Sequence, residues 1–198
     1  MSIIHFTKEW IEMSKNKNPL AGIDSILLFQ AIDDDSPTGM RAAAQTEHTF
    51  SLENEMAEEP TKDGTVVLPS TQTSSFEMTC FVVKGDEAQE LVEDAAFNKD
   101  MLQVWEVYID EPVEEGAEKN KYKSIYAQSF VEGLEKENPA EGMVELSATL
   151  KCHLTPQRGE LELSPEFVED IKRSLQYDFQ QFGEWAGNED GDQGGVEG

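Results

Sequence analysis

The sequence is poor in basic residues and has no long apolar run. Only 15 Lys and Arg stand against 41 Asp and Glu, which gives a formal net charge of −26 over 198 residues. Because nucleic-acid binding depends on Lys and Arg contacting phosphates, this balance argues against a nucleic-acid-binding protein and against binding to anionic membranes. The acidity indicates either a solvated, highly soluble surface or a surface that stays near DNA without adhering to it.

Neither a membrane span nor a secretion signal is expected. The apolar runs are all shorter than the roughly 20 residues that a helix needs to cross a bilayer. The first residues, Met1 to Phe6, lack a basic region followed by an apolar stretch.

Cysteine is also scarce. The two cysteines, Cys80 and Cys152, each lie inside an apolar, strand-like run, and no CxxC motif occurs. A disulfide scaffold normally carries more cysteines in a shorter chain. The sequence therefore predicts two buried, reduced thiols and synthesis in a reducing cytoplasm.

Motifs that carry chemistry are missing as well. His5, His48 and His153 have no His or Cys partner at ligand spacing, so we expect no zinc site. No nucleophile elbow, phosphate loop or dinucleotide fingerprint occurs. The acidic runs 33–35 and 188–192 do not match a calcium loop ending in Glu. We predict no catalytic, metal-binding or cofactor-binding residue and no cofactor. An acidic hydrolase with two carboxylates remains an alternative, although no Asp or Glu stands in an apolar context.

Strand signals dominate what is present. The segment 144–154 is the clearest, since apolar residues alternate with polar ones as in a strand with one face in a core. At least six strands are predicted, and turns rather than helices join most of them. This pattern favours a mainly β, α+β fold with an antiparallel β-sandwich. The predicted strands are 22–32, which is apolar on both faces, 44–52, 76–84, 101–110, 122–131 and 144–154.

Two helices are predicted, one inside the domain and one after it. Asp86 can cap the first, with Gln89 three residues later as in a capping box. Its apolar face would comprise Ala88, Leu91, Val92 and Ala95. The second helix, 164–183, would begin with Ser164 as cap and Pro165 as first residue. Its apolar stripe comprises Phe167, Ile171, Leu175, Phe179 and Phe182.

The remaining segments suggest extensions and a long connection. Residues 1–21 are predicted to form an N-terminal arm in which Trp10 docks on this subunit or on a neighbour, and 184–198 an acidic, disordered tail. Residues 33–73 are unusually polar and are expected to form a long hairpin or projecting loop. Within this loop, Thr61 to Gly64 has the signature of a tight turn. The domain itself would span 22–163.

The order of four segments resembles a known family. The first comprises Gly22 to Phe29, and the second comprises 45–51 followed by the turn 61–65. The third comprises Val83 to Asp86, leading into the short helix, and then 104–107. The fourth comprises 120–128 with 140–147 behind it. Together they cover roughly 22–163, and their order and spacing resemble the major tail tube protein of siphophages that infect Gram-positive bacteria.

This resemblance implies a β-sandwich flanked by a helix and a non-enzymatic, structural role. In the family, hexameric rings stack into a tube that surrounds the tape measure protein and later conducts DNA without adhering to it. The implied location is the virion, after assembly in the host bacterial cytoplasm. Implied partners are further copies of the chain, the tape measure protein, and the tail terminator and distal tail proteins at the tube ends.

The resemblance also implies which residues meet neighbouring subunits. An inter-subunit loop would use Asn54, Glu55, Glu58, Glu59, Thr61, Lys62, Asp63 and Gly64. The terminal extensions lie beyond the segments that carry the resemblance, and their apolar faces suggest inter-subunit arms that use Trp10, Phe167, Ile171, Leu175 and Phe179. Packing of the C-terminal stripe on the subunit's own sheet is the alternative. The alternative from a different class is a non-catalytic β-sandwich binding module, such as an adhesin or a carbohydrate-binding domain. Such a module would not form tubes.

Overall fold

The computed structural model describes residues 20–110, 112–116 and 119–174. This part of the chain is mainly β, as predicted, with seven strands and two α-helices. A single 3₁₀ turn, Gly22–Asp24, precedes the first strand. The elements are β1 (Ser25–Ala31), β2 (Gln45–Thr61), β3 (Gly64–Phe81), α1 (Glu87–Asn98), β4 (Met101–Tyr108), β5 (Asn120–Glu137), β6 (Glu145–Cys152), β7 (Gln157–Leu163) and α2 (Pro165–Ser174).

All strand pairs are antiparallel, in the order β1-β4-β5-β6-β3-β2, with β7 also paired to β5. The long strand β5 joins two half-sheets. Its first part, from Asn120 to Phe130, pairs with β7 and β4, and its last part, from Ser129 to Glu137, pairs with β6. We call β1, β4, β7 and the start of β5 the first half-sheet. The end of β5 together with β6, β3 and β2 is the second half-sheet.

The two half-sheets pack face to face and enclose the main core. Leu27 and Phe29 of β1 share one buried cluster with Phe76 of β3 and Leu146 of β6. Since β1 and β3 are far apart in strand order, the sheet must fold over for these side chains to meet. The predicted antiparallel β-sandwich is therefore confirmed.

Cys80 lies in this core, and burial raises the pKa of its thiol to about 11. Both cysteines are free thiols, but only Cys80 is buried as predicted, since Cys152 is partly exposed.

Helix α1 flanks the sandwich and closes one side of the main core. Its predicted face is confirmed, because Ala88, Val92 and Ala95 are buried and Leu91 is partly buried. Asp86 caps the helix by accepting a hydrogen bond from the Gln89 N–H at 2.8 Å. The Gln89 side chain does not complete the predicted capping box. It accepts from the Val83 N–H and donates to the backbone carbonyls of Ala43 and Phe81, which fixes the loops beside the helix.

Helix α2 covers the outer face of the first half-sheet. It begins as predicted, with the Ser164 hydroxyl accepting from the Phe167 N–H at 3.2 Å. Val168 and Ile171 join a second buried cluster, and Phe167 packs against it. The remaining buried members of this cluster come from the sheet: Ile26, Leu28, Val107, Ile109, Tyr122 and Leu163.

This packing favours the alternative for Phe167 and Ile171, contact with the subunit's own sheet, while their predicted role in an inter-subunit arm stays a prediction. Strands β1 and β4 carry apolar side chains on both faces, as the sequence indicated for 22–32, so the outer face needs a cover. The subunit's own α2 supplies that cover. Leu175, Phe179 and Phe182 lie outside the described residues, as does Trp10.

The long hairpin predicted as one alternative for 33–73 is confirmed, because β2 and β3 pair with each other along most of this segment. Other strand predictions need correction. Strand β5 continues past residue 131 to Glu137, since β6 supplies its hydrogen-bonding partner. Strand β7 was missed, although Leu161 and Leu163 alternate there with glutamates. The predicted strand 144–154 ends at Cys152, and Leu154 is exposed.

Candidate assembly surfaces

The far end of the β2–β3 hairpin extends beyond the core. We call residues 52–72 the projecting hairpin. All of these residues are exposed except Ala57, which is partly exposed. Pairing between β3 and β6 begins only at Ser75, so in the projecting hairpin the two strands pair with nothing but each other. Both backbone edges of this ribbon are therefore open to further strand pairing.

The tip of the projecting hairpin is a two-residue turn. Lys62 and Asp63 connect Thr61 to Gly64, whose φ of +134° lies in a region that favours glycine. The Thr61 hydroxyl donates to the Gly64 carbonyl at 2.6 Å and accepts from the Asp63 N–H at 3.3 Å. The tight turn is therefore confirmed. The projecting hairpin holds every residue predicted for the inter-subunit loop: Asn54, Glu55, Glu58, Glu59, Thr61, Lys62, Asp63 and Gly64.

The projecting hairpin also exposes apolar side chains that the sequence analysis missed. Val66, Val67 and Leu68 are 45–55% exposed, and Met56 is 57% exposed. The sequence did carry a signal for this surface, since Val66, Val67 and Leu68 are three consecutive apolar residues that follow the turn residue Gly64 in a strand. An exposed apolar group of this kind on a two-stranded ribbon is typical of an interaction surface.

A second candidate surface is the outward face of the second half-sheet, which we call the polar face. Register across β2, β3, β6 and the end of β5 aligns hydroxyls with carboxylates, as in the row Glu47, Thr79, Ser147 and Glu135. The Thr79 and Ser147 hydroxyls are 3.3 Å apart and hydrogen bonded. Five carboxylates and one amine lie on the aligned positions of this face: Glu47, Glu77, Glu135, Glu137, Glu145 and Lys151.

The second half-sheet has open edges at both ends. Strand β2 is the last in the order, so one of its edges is unpaired throughout the described structure. At the other end, β4 pairs with β5 only up to Phe130, which leaves one edge of β5 unpaired from 131 to 137. These open edges are the backbone groups with which two copies of the chain can join their sheets.

Within the described residues, no group of three or more His, Cys, Asp or Glu side chains is arranged to hold a metal ion. None of the helices that the structure describes is long and apolar enough to span a membrane. His48 lies beside Glu106 and Ser25 in a cavity, and His153 packs edge-on against the Phe130 ring.

Comparison with known proteins shows to which family the chain belongs. A family model described as "Phage tail tube protein" matches residues 19–158, which include the sandwich, α1 and the projecting hairpin. The chain belongs to this tail tube family. The resemblance seen in the sequence is confirmed, and tail tube membership places the chain in the virion. It does not favour an adhesin or a carbohydrate-binding domain.

One curated relative of similar sequence is the tail tube protein gp17.1* of Bacillus phage SPP1. It is 32% identical over 178 residues, which make up 88% of this chain and 64% of the relative. The chain thus spans just under two thirds of the length of that curated tail tube protein. Bacillus is a Gram-positive host, in agreement with the resemblance.

Solved tail tube structures show the same fold. The SPP1 tail tube, determined by solid-state NMR and cryo-electron microscopy, matches with a TM-score of 0.63 and 29% identity, over 85% of this chain and 95% of that one. The tail of an empty gene transfer agent particle, refined with C6 symmetry, matches with a TM-score of 0.57 over 71% of this chain and 99% of that one. At 9% identity, the second match shows the fold alone.

Proposed function

We propose that this chain is a non-enzymatic subunit that self-assembles into stacked rings to form a phage tail tube, the conduit for DNA ejection. The observation that carries the proposal is the pair of open edges at opposite ends of the second half-sheet in a member of the tail tube family. Pairing the edge of β2 with the 131–137 edge of the next copy is a head-to-tail contact. Such contacts use up both edges when the ring closes.

Ring size and partners follow from the same proposal. The C6 symmetry of the similar gene transfer agent tail supports six subunits in each ring. The tape measure protein would occupy the channel before DNA does. The tail terminator and distal tail proteins would contact the first and last rings, where one ring surface has no further copy to meet.

The polar face is suited to line the channel. Its five glutamates outnumber its single lysine, so the face as a whole repels the phosphates of DNA, and its hydroxyls keep the wall hydrated. Because binding of DNA depends on amines releasing counterions from phosphates, a wall with so few amines lets the polymer pass without adhering. A neutral or positive potential along the channel of an assembled tube would contradict this part of the proposal.

The projecting hairpin would contact an adjacent subunit. Its exposed Val66, Val67 and Leu68 would then be covered, and the predicted loop residues around the tip would lie in that contact. Trp10, Leu175 and Phe179 are proposed to contribute further contacts between subunits. A ribbon of two strands is marginal by itself, so packing against a neighbour would also stabilise it.

A shortened hairpin tests the proposal. Because Asn54 pairs with Gln72, replacing 55–71 by Asn-Gly leaves a hairpin of correct register with a favoured turn. We expect this variant to remain a folded subunit by circular dichroism and to form no tubes by negative-stain electron microscopy. The control Asp94→Asn changes an exposed residue of α1 outside the projecting hairpin, so tubes should persist. If the shortened protein formed normal tubes, the proposed role of the projecting hairpin in assembly would be wrong.

A further inference from the structure

A cavity of about 620 Å³ lies where the described chain begins. Its rim includes the backbone from Leu20 to Ile23, and its wall comes from β1, β2, β4 and the loop before β2. The polar side chains that line it are Ser25, Arg41, Gln45, Thr46, Glu47, His48, Glu106 and Tyr108. The cavity lies apart from the projecting hairpin and shares only Glu47 with the polar face.

Three buried polar atoms in this wall have no hydrogen-bond partner among the residues that the structure describes. Glu106 is only 7% exposed. Its Oε1 accepts from the Ser25 hydroxyl at 3.3 Å and lies 3.4 Å from Nε2 of His48, whereas its Oε2 has no partner. Nε of Arg41 and Nε2 of Gln45 are likewise unpartnered. Buried polar groups left unsatisfied are costly, so an acceptor and two donors in one cavity indicate an occupant that satisfies them.

The charge of the cavity favours a cationic occupant. Glu47 and Glu106 both line it, and the one guanidinium, Arg41, also interacts with Asp86. Burial, followed by the neighbouring Glu106 carboxylate, raises the pKa of the Tyr108 phenol. Negative charge therefore exceeds positive charge around the unpartnered Glu106 oxygen. A charge-assisted hydrogen bond to an amine is the strongest way to satisfy such an oxygen.

The N-terminal segment of the same chain has the matching chemistry and the right point of attachment. Residues 1–19 carry three lysines and two glutamates, a net charge of +1 in a chain of −26. Between Met13 and Ile23 there are two lysines, Lys15 and Lys17, and no acidic residue. The segment ends at Leu20, which itself lines the cavity. Lys17 is three residues from Leu20, within about 10 Å of extended backbone.

We propose that residues 14–19 of the same subunit dock in this cavity with the Lys17 amine donating to Glu106. Backbone carbonyls of the docked segment accept hydrogen bonds from Arg41 and Gln45. The segment is thereby fixed at the junction between the first half-sheet and the start of the β2–β3 hairpin. This docking does not depend on tube formation, because it can be measured on the soluble subunit.

Lysine acetylation of the intact protein, followed by mass spectrometry, tests the pairing. A charge-assisted hydrogen bond contributes roughly 1.5–3 kcal/mol, so Lys17 should react about tenfold more slowly than exposed Lys62 and Lys84. In Glu106→Gln, its rate should rise to that of these references. The control Glu47→Gln removes an exposed carboxylate from the same cavity and should leave Lys17 protected. Fast labelling of Lys17 in the wild-type protein would overturn the proposal.

A disulfide trap covers the case in which Glu106→Gln does not fold. Lys17→Cys is combined with Thr46→Cys at the cavity rim in a Cys152→Ser background, where the buried Cys80 thiol is unreactive because its pKa is about 11. Oxidation should link the pair within one subunit, whereas Lys17→Cys with the exposed Asp94→Cys should not link. Equal yields from the two pairs contradict the proposal. Protection of Lys62 rather than Lys17 from acetylation in the assembled protein would also contradict the proposal. It would show that the hairpin tip of another copy occupies the cavity.

Discussion

Strands β2 and β3 lie in two environments, the main core at one end and the exposed projecting hairpin at the other. Near the sheet, Phe76, Met78 and Cys80 of β3 are at most 2% exposed and lie in the main core. Farther along the same strand, Val66, Val67 and Leu68 are 45–55% exposed. Both stretches are apolar and strand-forming, so local propensity does not distinguish them. Only the presence of an opposing half-sheet makes one stretch a core and leaves the other uncovered.

Cross-strand pairing sharpens the contrast. In the core, Phe50 and Phe76 are paired partners with ring centroids 5.0 Å apart. In the projecting hairpin, Val66 and Val67 pair with Glu59 and Glu58. An apolar strand beside an acidic one suits a ribbon that is covered by another subunit on part of its surface and solvated on the rest. Such a ribbon adds little to the stability of the isolated subunit.

The largest expected effect is on the core side of this comparison. Phe76→Ala removes a fully buried ring and should lower the free energy of unfolding by about 3–5 kcal/mol. Urea unfolding of the soluble subunit, followed by tryptophan fluorescence, measures this loss. A loss below about 1 kcal/mol, typical of a surface substitution, would mean that the core does not stabilise the subunit as the structure indicates.

Helix α2 should behave as core rather than as an arm. Ile171→Ala truncates a side chain that is 7% exposed and should cost about 2–3 kcal/mol, near the lower end for such substitutions. Lys172→Ala changes the next, exposed residue and serves as the control. An unfolding midpoint unchanged by Ile171→Ala, together with lost assembly, would restore the inter-subunit interpretation of this helix.

The cap of α1 should have an intermediate effect. Asp86 accepts from the Gln89 N–H at 2.8 Å and from the Ala43 N–H at 2.9 Å, so Asp86→Ala removes both acceptors. We expect a loss of about 1–2 kcal/mol in thermal or urea unfolding. Asp86→Asn keeps one acceptor oxygen and should retain most of the stability. Equal losses for the two variants would show that the charge, not the hydrogen bonding, is what matters.

The smallest effect on stability should come from the projecting hairpin. Val66→Ala with Val67→Ala should change the free energy of unfolding of the soluble subunit by less than about 0.5 kcal/mol per site, because both side chains are already exposed. The concentration needed for assembly, measured by light scattering, should nevertheless rise. Unchanged assembly would show that these side chains stay exposed in the tube, which would weaken the comparison between the two regions.

Much of the sandwich could be predicted from local patterns. The alternation in β6, the apolar run of β1, the Asp86 and Ser164 caps and the turn at Lys62 and Asp63 are each determined by a few neighbouring residues. The same holds for the missing ligand motifs and for the acidic balance. Glycine, proline and capping side chains act over one turn, so a sequence pattern carries this information completely.

The assembly surfaces were predicted only in part. The tip residues of the projecting hairpin were singled out, but its apolar stretch at Val66 to Leu68 was not, because exposure depends on where the opposing half-sheet ends. The cavity beside Glu106 was also missed. Its wall joins Ser25, His48 and Glu106, which are far apart in the chain and meet only through strand pairing and the fold of the sheet.

The sequence by itself determined the type and order of most elements, the helix caps, the tip turn and the acidic balance of the chain. Only the tertiary structure decided which parts of β5 pair with β4, β7 and β6, and hence which strand edges stay unpaired. It also decided that Ile171 lies in the subunit's own core while Val67 does not. The physical reason is that burial and edge pairing depend on residues distant in sequence, whereas propensity, capping and charge depend on neighbours.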